Sequence, residues 1–310
     1  MRPKVFKTID EQVNILKQKG LVINDEDYVK NVLLRENYFF INGFRHLFIK
    51  SPIEKTFIPN TDFRELYAMF NFDRQLRNII FKNLLIFENN IKSIVAYVLS
   101  KHYGIIEKDY LSMKNFSQDP KKVKQINDLL KKMKRQIRIN GGQHSATMHY
   151  MDNYGFVPLW IVVKILSFGI VSEFYSILKN EDKQEIAEVF KIQPELLEDY
   201  LPILANYRNL CAHEDICYAH RTQKRILPTV YHSKLCIPKM NDEYIYGLND
   251  LFALVIILKQ VLSEEKFTGM MNELNYEIEV LKGKLKVIDI SKVLDQMGFP
   301  LNYLEIVRMW

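Results

Sequence analysis

Three polar side chains in the segment 204–213 could carry out chemistry together. Arg208, Asn209 and His213 stand there among small and apolar residues. A guanidinium can neutralise phosphoryl oxygens and an imidazole can transfer a proton near neutral pH, so the combination suits cleavage of a phosphodiester. The segment is predicted to be helical, and on a helix Asn209 and His213, four residues apart, share one face. Arg208 lies about 140° around the helix from His213, so only its long side chain can reach the same ligand.

Cysteines and histidines in the same region form a different candidate site. Zinc-ligand residue types occur at Cys211, His213, Cys217 and His220. His213 and Cys217 are four residues apart, so a helix could present both to one metal ion. The region lacks a Cys-x-x-Cys pair, and a zinc site would leave the arginine and the asparagine without a role. Because buried free cysteines commonly pack like small apolar residues, we expect no metal and no other cofactor.

Basic residues are concentrated in two segments. The first spans 121–138 and is densest at Lys131, Lys132, Lys134 and Arg135. The second follows the 204–213 segment and consists of Arg221, Lys224 and Arg225. Such clusters are commonly solvated faces of helices, whereas beside a phosphodiester-cleaving site they also suit the binding of a polyanion. Both interpretations stay open at this point.

Length, composition and charge indicate a folded protein of a reducing compartment. Of the 310 residues, 48% are hydrophobic and 26% charged, which is typical of a globular protein. Three cysteines give no disulfide framework, as expected in the cytosol. The basic N-terminus is not followed by the apolar stretch of a secretory signal, and the longest apolar run, 251–258, is far below the roughly 20 residues of a membrane span. We therefore expect a cytoplasmic protein without a membrane segment.

The apolar pattern predicts an all-α fold. Gly and Pro are few, strand alternation is weak, and apolar residues recur every three or four positions over most of the chain. The longest helix is expected to run from a cap at Thr61 to about residue 102, a length of about 60 Å. Earlier helices are predicted to start at a capping box of Thr8 and Glu11 and at a cap at Asn24.

Four irregular positions are predicted in the second half of the chain. A flexible loop is expected over 141–147, and an apolar helix that begins at Pro158 should be interrupted or kinked at Gly169. The helix that carries the 204–213 segment should be kinked or restarted at Pro202. Only the stretch 226–236 shows a pattern that could form a β-hairpin.

Several stretches of the chain together resemble a known family. The run Arg208-Asn209 followed by Cys211-Ala212-His213 is similar to the signature of HEPN-type ribonucleases, and specifically to that of the Abi-like family of bacterial abortive-infection proteins. Six further stretches match that family in order, so that the resemblance covers about residues 6–300; they are 6–12, 38–44, 72–77, 87–92, 157–160 with 166–169, and 297–300. After the Ala-His pair many relatives carry a second histidine and a later arginine, where this chain has Glu214 and Ile216.

The resemblance implies a fold, an activity and a partner. The fold would be a HEPN-like helical bundle over 61–283, with a small N-terminal helical unit at 1–60 and a C-terminal extension at 284–310. The activity would be a metal-independent endoribonuclease in anti-phage defence, for which the basic clusters would bind the RNA. Arg208 would stabilise the charged phosphorane, His213 would act as general acid or base, and Asn209 would position it. Sites of this type are commonly composite, so one such helix per chain implies a homodimer.

Glu88 has two interpretations. Asp73 and Glu88 lie four residues before Arg77 and Lys92, a spacing that favours ion pairs along one helix. The resemblance favours a further role, in which Glu88 faces the Arg208 helix inside the bundle and supports the site.

A function from a different class also fits the resemblance. Some members of the family are encoded beside small structured RNAs, as in toxin–antitoxin pairs. The chain would then be an RNA-binding module that holds such an RNA and does not cut it, and the same basic residues would serve it.

Overall fold

Helices make up most of the protein in the computed structural model, which describes residues 5–51 and 53–309. The all-α prediction is therefore confirmed. The α-helices of these residues are α1 (Ile9–Gln18), α2 (Glu26–Glu36), α3 (Tyr38–Asn42), α4 (Phe63–Tyr103), α5 (Glu107–Tyr110), α6 (Val123–Gly141), α7 (Ser145–Tyr154), α8 (Leu159–Ile165), α9 (Phe168–Ser176), α10 (Asn180–Glu188), α11 (Pro194–Ala212), α12 (Val230–Lys234), α13 (Leu251–Val261), α14 (Glu264–Lys282) and α15 (Ile290–Met297). Short 3₁₀ helices span Gly43–Leu47, Met113–Asn115, Pro120–Lys122 and Tyr303–Arg308. Strands β1 (Lys239–Met240) and β2 (Glu243–Tyr244) form an antiparallel hairpin.

Helix α4 is the central element of the fold. It runs through 41 residues, about 62 Å at 1.5 Å per residue. Apolar side chains at helical spacing, among them Leu66, Leu84, Phe87 and Ile91, are fully buried along it. Helices α8, α10, α11 and α14 pack around it, so the long apolar face predicted from the sequence is covered by several partners.

One continuous cluster of buried apolar side chains connects the ends of the described chain. It extends from Val13 in α1 to Ile306 near the C-terminus, and it includes nearly every residue of α13. None of the helices in the described residues has both the length and the apolar composition needed to cross a bilayer. The division at residues 60 and 283 stays a prediction.

Two helix caps lie one residue later than the sequence analysis placed them. The capping box of Thr8 and Glu11 is confirmed. Asp25, not Asn24, caps α2, and Asp62, not Thr61, caps α4 with a capping box of its own. The carboxylate of Asp62 accepts a hydrogen bond from the backbone N–H of Arg64, at 2.7 Å, and from the amide of Asn24, at 3.0 Å. A carboxylate at a helix N-terminus is also favoured by the helix dipole.

Of the predicted irregular positions, the interruption near Gly169 is confirmed, whereas no restart occurs at Pro202. The helix break lies before Gly169, where Ser167 caps α9 by accepting the N–H of Ile170. Helix α11 continues through Pro202 without restarting, with that residue on its exposed side.

The other two predictions were wrong in extent or position. The predicted loop at 141–147 is short, because α6 extends to Gly141 and α7 begins at Ser145. The stretch 226–236 contains the short helix α12 instead of a hairpin, and the hairpin follows it at β1 and β2.

Candidate active site

The end of α11 presents the three predicted catalytic side chains. His213 is the C-cap of this helix, and its backbone N–H donates to the carbonyl of Asn209 at 3.0 Å. The helical spacing therefore holds up to His213, and the side chains of Asn209 and His213 are both exposed. Leu210 and Cys211, on the opposite side, are buried and anchor this turn in the core. The side chains of Asn209 and His213 are therefore exposed to solvent on a turn whose backbone is fixed by the core.

Arg208 is held against α4 by an ion pair with Glu88. Its Nε lies 3.0 Å from Oε2 of Glu88, and its guanidinium carbon lies 5.8 Å from the centre of the Phe81 ring. The other carboxylate oxygen of Glu88 accepts from Nζ of Lys92 at 2.7 Å. Glu88 therefore does face the Arg208 helix, and it also makes the i,i+4 pair with Lys92. Phe81 and Lys92 had not been assigned to the site from the sequence.

The geometry leaves part of the Arg208 guanidinium available to a ligand. The side chain of Glu88 is 4% exposed, whereas that of Arg208 is 29% exposed. The terminal nitrogens of Arg208 donate to no atom of the described residues. A carboxylate that binds Nε orients the outer edge of the guanidinium, which is the edge that forms paired hydrogen bonds with phosphoryl oxygens.

A second buried ion pair fixes the chain just after His213. Asp73 pairs with Arg77, as the i,i+4 interpretation predicted, and its Oδ1 accepts the backbone N–H groups of Cys217 and Tyr218 at 3.1 and 2.7 Å. Arg77 also donates to the carbonyl of Asp215 at 3.4 Å. Burial raises the pKa of Asp73 to about 6, while Arg77 and the two N–H groups act in the opposite direction. The segment 214–218 is thereby tied to α4.

The predicted RNA-binding residues lie at the surface. Lys131, Lys132, Lys134 and Arg135, here called the basic face of α6, are all exposed. Lys132 lies 3.3 Å from Glu173, in an exposed ion pair. Of the second group, Lys224 pairs with Asp199 at 2.7 Å, Arg225 pairs with Glu243 at 2.8 Å, and Arg221 is exposed. The basic face of α6 therefore keeps more of its charge available than the second group does.

The four residues of the alternative metal site do not come together, although the thiols of Cys211 and Cys217 are neighbours. No group of three or more His, Cys, Asp or Glu side chains within 5–51 and 53–309 could hold a metal ion. Cys217 is fully buried, and the Cys211 thiol together with burial raises its pKa, which favours the neutral thiol over the thiolate that binds metals. His220 contacts the side-chain oxygen of Asn206 at 2.7 Å, while the ring of His213 is exposed.

A cavity that the sequence analysis did not find opens beside this site. It has a volume of about 730 Å³ and lies between the end of α2, α3 with the 3₁₀ helix after it, α4, and the segment after His213. Because four arginines line it, we call it the arginine cavity. Its lining consists of Arg35, Glu36, Asn37, Phe39, Asn42, Gly43, Phe44, Arg45, His46, Phe70, Arg74, Arg77, Glu214, Asp215 and Ile216.

Comparison with known proteins shows the family to which this helical protein belongs. The model of the Abi-like protein family matches residues 31–219, well over half of the chain, and the chain belongs to that family. The matched range contains α4, the Glu88–Arg208 ion pair and the segment up to Ala219, while the first and last of the resembling stretches, 6–12 and 297–300, lie outside it. No curated protein and no solved structure matches the chain. Membership of the family indicates a function of the abortive-infection type.

Proposed function

We propose that this chain is a metal-independent endoribonuclease that acts in bacterial anti-phage defence in the cytoplasm. The observation that carries the proposal is the orientation of Arg208 by the buried Glu88, next to the exposed Asn209 and His213 at the end of one helix. An ion pair that served stability alone would not need to leave the outer edge of the guanidinium open. The arrangement provides a fixed positive charge and a proton-transfer group at one surface.

The proposed reaction needs only RNA and protein side chains. The 2′-OH of the RNA loses its proton as its oxygen attacks the adjacent phosphorus, and the bond from phosphorus to the 5′ oxygen breaks. The products are a 2′,3′-cyclic phosphate and a 5′-OH that has gained a proton. Arg208 stabilises the charge on the phosphoryl oxygens, His213 transfers one of the two protons, and Asn209 positions His213 or the RNA.

A homodimer completes the site in this proposal. One imidazole of each copy would serve the two proton transfers, one as base and one as acid. The ring of His213 is exposed and makes no hydrogen bond with a described residue, so it is open to a second copy or to RNA.

The same exposure supports a second candidate function. If no second group orients the His213 ring, the chain holds a small structured RNA without cutting it, as in a toxin–antitoxin pair. The basic face of α6 would bind that RNA in either case.

A cleavage assay separates the two functions. Purified protein is incubated with total RNA in the presence of EDTA, and the 5′ fragments are tested for a cyclic phosphate. His213→Ala should lower cleavage by roughly two to four orders of magnitude and Arg208→Ala by about a hundred to a thousand, with RNA binding retained. His144→Ala and Arg308→Ala, at exposed positions elsewhere, are the matched controls.

Three outcomes would contradict the proposal. Cleavage that persists in the double variant would move the active site elsewhere. Loss of cleavage in EDTA with rescue by zinc would support metal chemistry. Binding without any cleavage by the wild-type protein would support the RNA-holding function.

A further inference from the structure

The arginine cavity is large enough for a small ligand and has a mixed lining. Its volume of about 730 Å³ falls within the roughly 300–1,000 Å³ of small-molecule sites. Phe44 and Phe70 are buried at its wall, and charged side chains stand around them. We propose that this cavity binds a nucleotide, with its phosphate at Arg35 and Arg45 and its base against Phe39 and Asn42.

Two of the four arginines of the cavity are not engaged by a carboxylate of the described residues. Arg74 is occupied by Glu36, with which it forms two hydrogen bonds at 3.0 and 2.5 Å, and Arg77 is occupied by Asp73. Arg35 and Arg45 also line the cavity, but they form no ion pair or side-chain hydrogen bond with the described residues. Two such guanidinium groups facing one space suit a phosphate, since their forked donors match its oxygens.

An amide and an aromatic ring in the lining suit the base. The side-chain oxygen of Asn42 is buried and accepts no hydrogen bond within the described residues. Asn42 nevertheless lines the cavity, and a side-chain amide can form hydrogen bonds with the edge of a nucleobase. The ring of Phe39 lines the same cavity and is 75% exposed. Exposed aromatic rings of this kind are surfaces on which bases stack.

The position of the cavity connects it with the proposed site. Glu214, the residue next to His213, begins the wall that Asp215 and Ile216 continue. The Asp73–Arg77 pair holds this wall against α4. The nucleotide therefore has two possible sources, a free nucleotide or one nucleotide of an RNA strand that continues past His213. The RNA source rests on the proposed function, whereas the free nucleotide does not.

Binding of mononucleotides is the first test. AMP, GMP, CMP and UMP are titrated calorimetrically at low salt into the full-length protein carrying His213→Ala, so that cleavage plays no part. At least one should bind, and adding Arg35→Gln with Arg45→Gln should weaken it at least tenfold, while adding Arg308→Gln should not. The corresponding nucleoside, which lacks the phosphate, should bind weakly to the protein that keeps both arginines. Its affinity should be no higher than that of the nucleotide for the protein that carries Arg35→Gln and Arg45→Gln.

RNA oligomers provide the second test and distinguish the sources. Single-stranded oligomers are titrated into the same proteins by fluorescence anisotropy. If mononucleotides do not bind but the Arg35 and Arg45 substitutions weaken oligomer binding at least tenfold, the nucleotide belongs to RNA. Phe39→Leu changes an exposed position and leaves both arginines in place, so it tests the cavity separately. It should weaken the binding of the same oligomers several-fold.

The inference is overturned if neither ligand responds to these changes more than to Arg308→Gln, in proteins with unchanged circular dichroism. This outcome is independent of cleavage. A protein that binds nucleotides through Arg35 and Arg45 but never cuts RNA would refute the proposed function and leave the nucleotide site standing.

Discussion

Replacing Glu88 by glutamine should destabilise the protein by about 2–3 kcal/mol, since hydrogen bonds to charged groups contribute about 1.5–3 kcal/mol each. The carboxylate accepts from Lys92 at 2.7 Å and from Arg208 at 3.0 Å, and it is 4% exposed. Arg208 is 29% exposed, so solvent screens part of its interaction and only the lower end of the range applies to it. Glutamine keeps the shape and one acceptor, which keeps the loss below the roughly 3–5 kcal/mol of a buried charge left wholly unpaired.

Urea unfolding followed by circular dichroism measures this loss against a matched control. Glu273 of α14 pairs at 2.7 Å with Lys82 of α4, the helix that also carries Glu88. Both side chains are about half exposed, at 48% for Glu273 and 55% for Lys82. Glu273→Gln should therefore change the free energy of unfolding by no more than about 0.5 kcal/mol. The contrast between the two substitutions isolates burial from the presence of an ion pair.

Glu88→Gln should also lower RNA cleavage by about tenfold to a hundredfold, because a displacement of about 1 Å at a reacting group can reduce the rate that much. Glu88 acts as a positioning residue, so adding Glu88→Gln to Arg208→Gln should cost little further activity. The reasoning is refuted if Glu88→Gln is as stable as Glu273→Gln, or if its effect on cleavage is undiminished when Arg208 is already replaced.

Three further predictions concern acid stability, RNA affinity and a glycine. Burial lowers the pKa of His232, whose ring accepts the N–H of Thr229 and contacts the carbonyl of Gly247. The unfolded chain therefore binds a proton here before the folded protein does, so this contribution to stability is complete above about pH 6.5 and is lost as the pH falls below it, and the thermal unfolding of His232→Asn should depend less on pH in that range than that of the wild-type protein. Changing the four residues of the basic face of α6 to glutamine should weaken binding of many RNA sequences and flatten the log–log salt slope by about 0.7–0.9 for each phosphate that the protein no longer neutralises, and an unchanged slope would show that this face is only solvated. Gly298→Ala should cost more than about 2 kcal/mol in urea unfolding, since its φ is +74° and a Cβ there would lie 2.1 Å from Oδ2 of Asp250, whereas Gly169→Ala, with open space around it, should be neutral or stabilising.

Periodic features of the fold could be predicted from the sequence because they repeat. The long apolar pattern after position 61 predicted α4 nearly to its last turn, and the ion pair of Asp73 with Arg77 followed from their spacing. Single residues were less predictable. Asn24 and Thr61 are good cap residues, but each is followed by an aspartate that caps the helix instead, and only the folded backbone decides between such neighbours.

The arginine cavity could not be predicted because its walls come from distant parts of the chain. Residues 35–46, 70–77 and 214–216 meet there, and no motif links them in sequence. The role of Lys92 beside Glu88 was visible from spacing alone, but the turn of Arg208 toward them depends on how α11 packs on α4. Spacing within one helix is local information, whereas the packing of one helix on another is set by the whole core.

Because α4 is one unbroken helix, it fixes the distance between the arginine cavity and the site at Arg208. Arg77, at the cavity, and Glu88, at Arg208, stand eleven residues apart on one helix, a rise of about 16 Å. One residue inserted between them would turn Glu88 by about 100° and carry it away from Arg208, while the loops at the ends of α4 could gain several residues without moving either. Insertions and deletions in natural variants should therefore avoid this stretch of α4 and collect outside it.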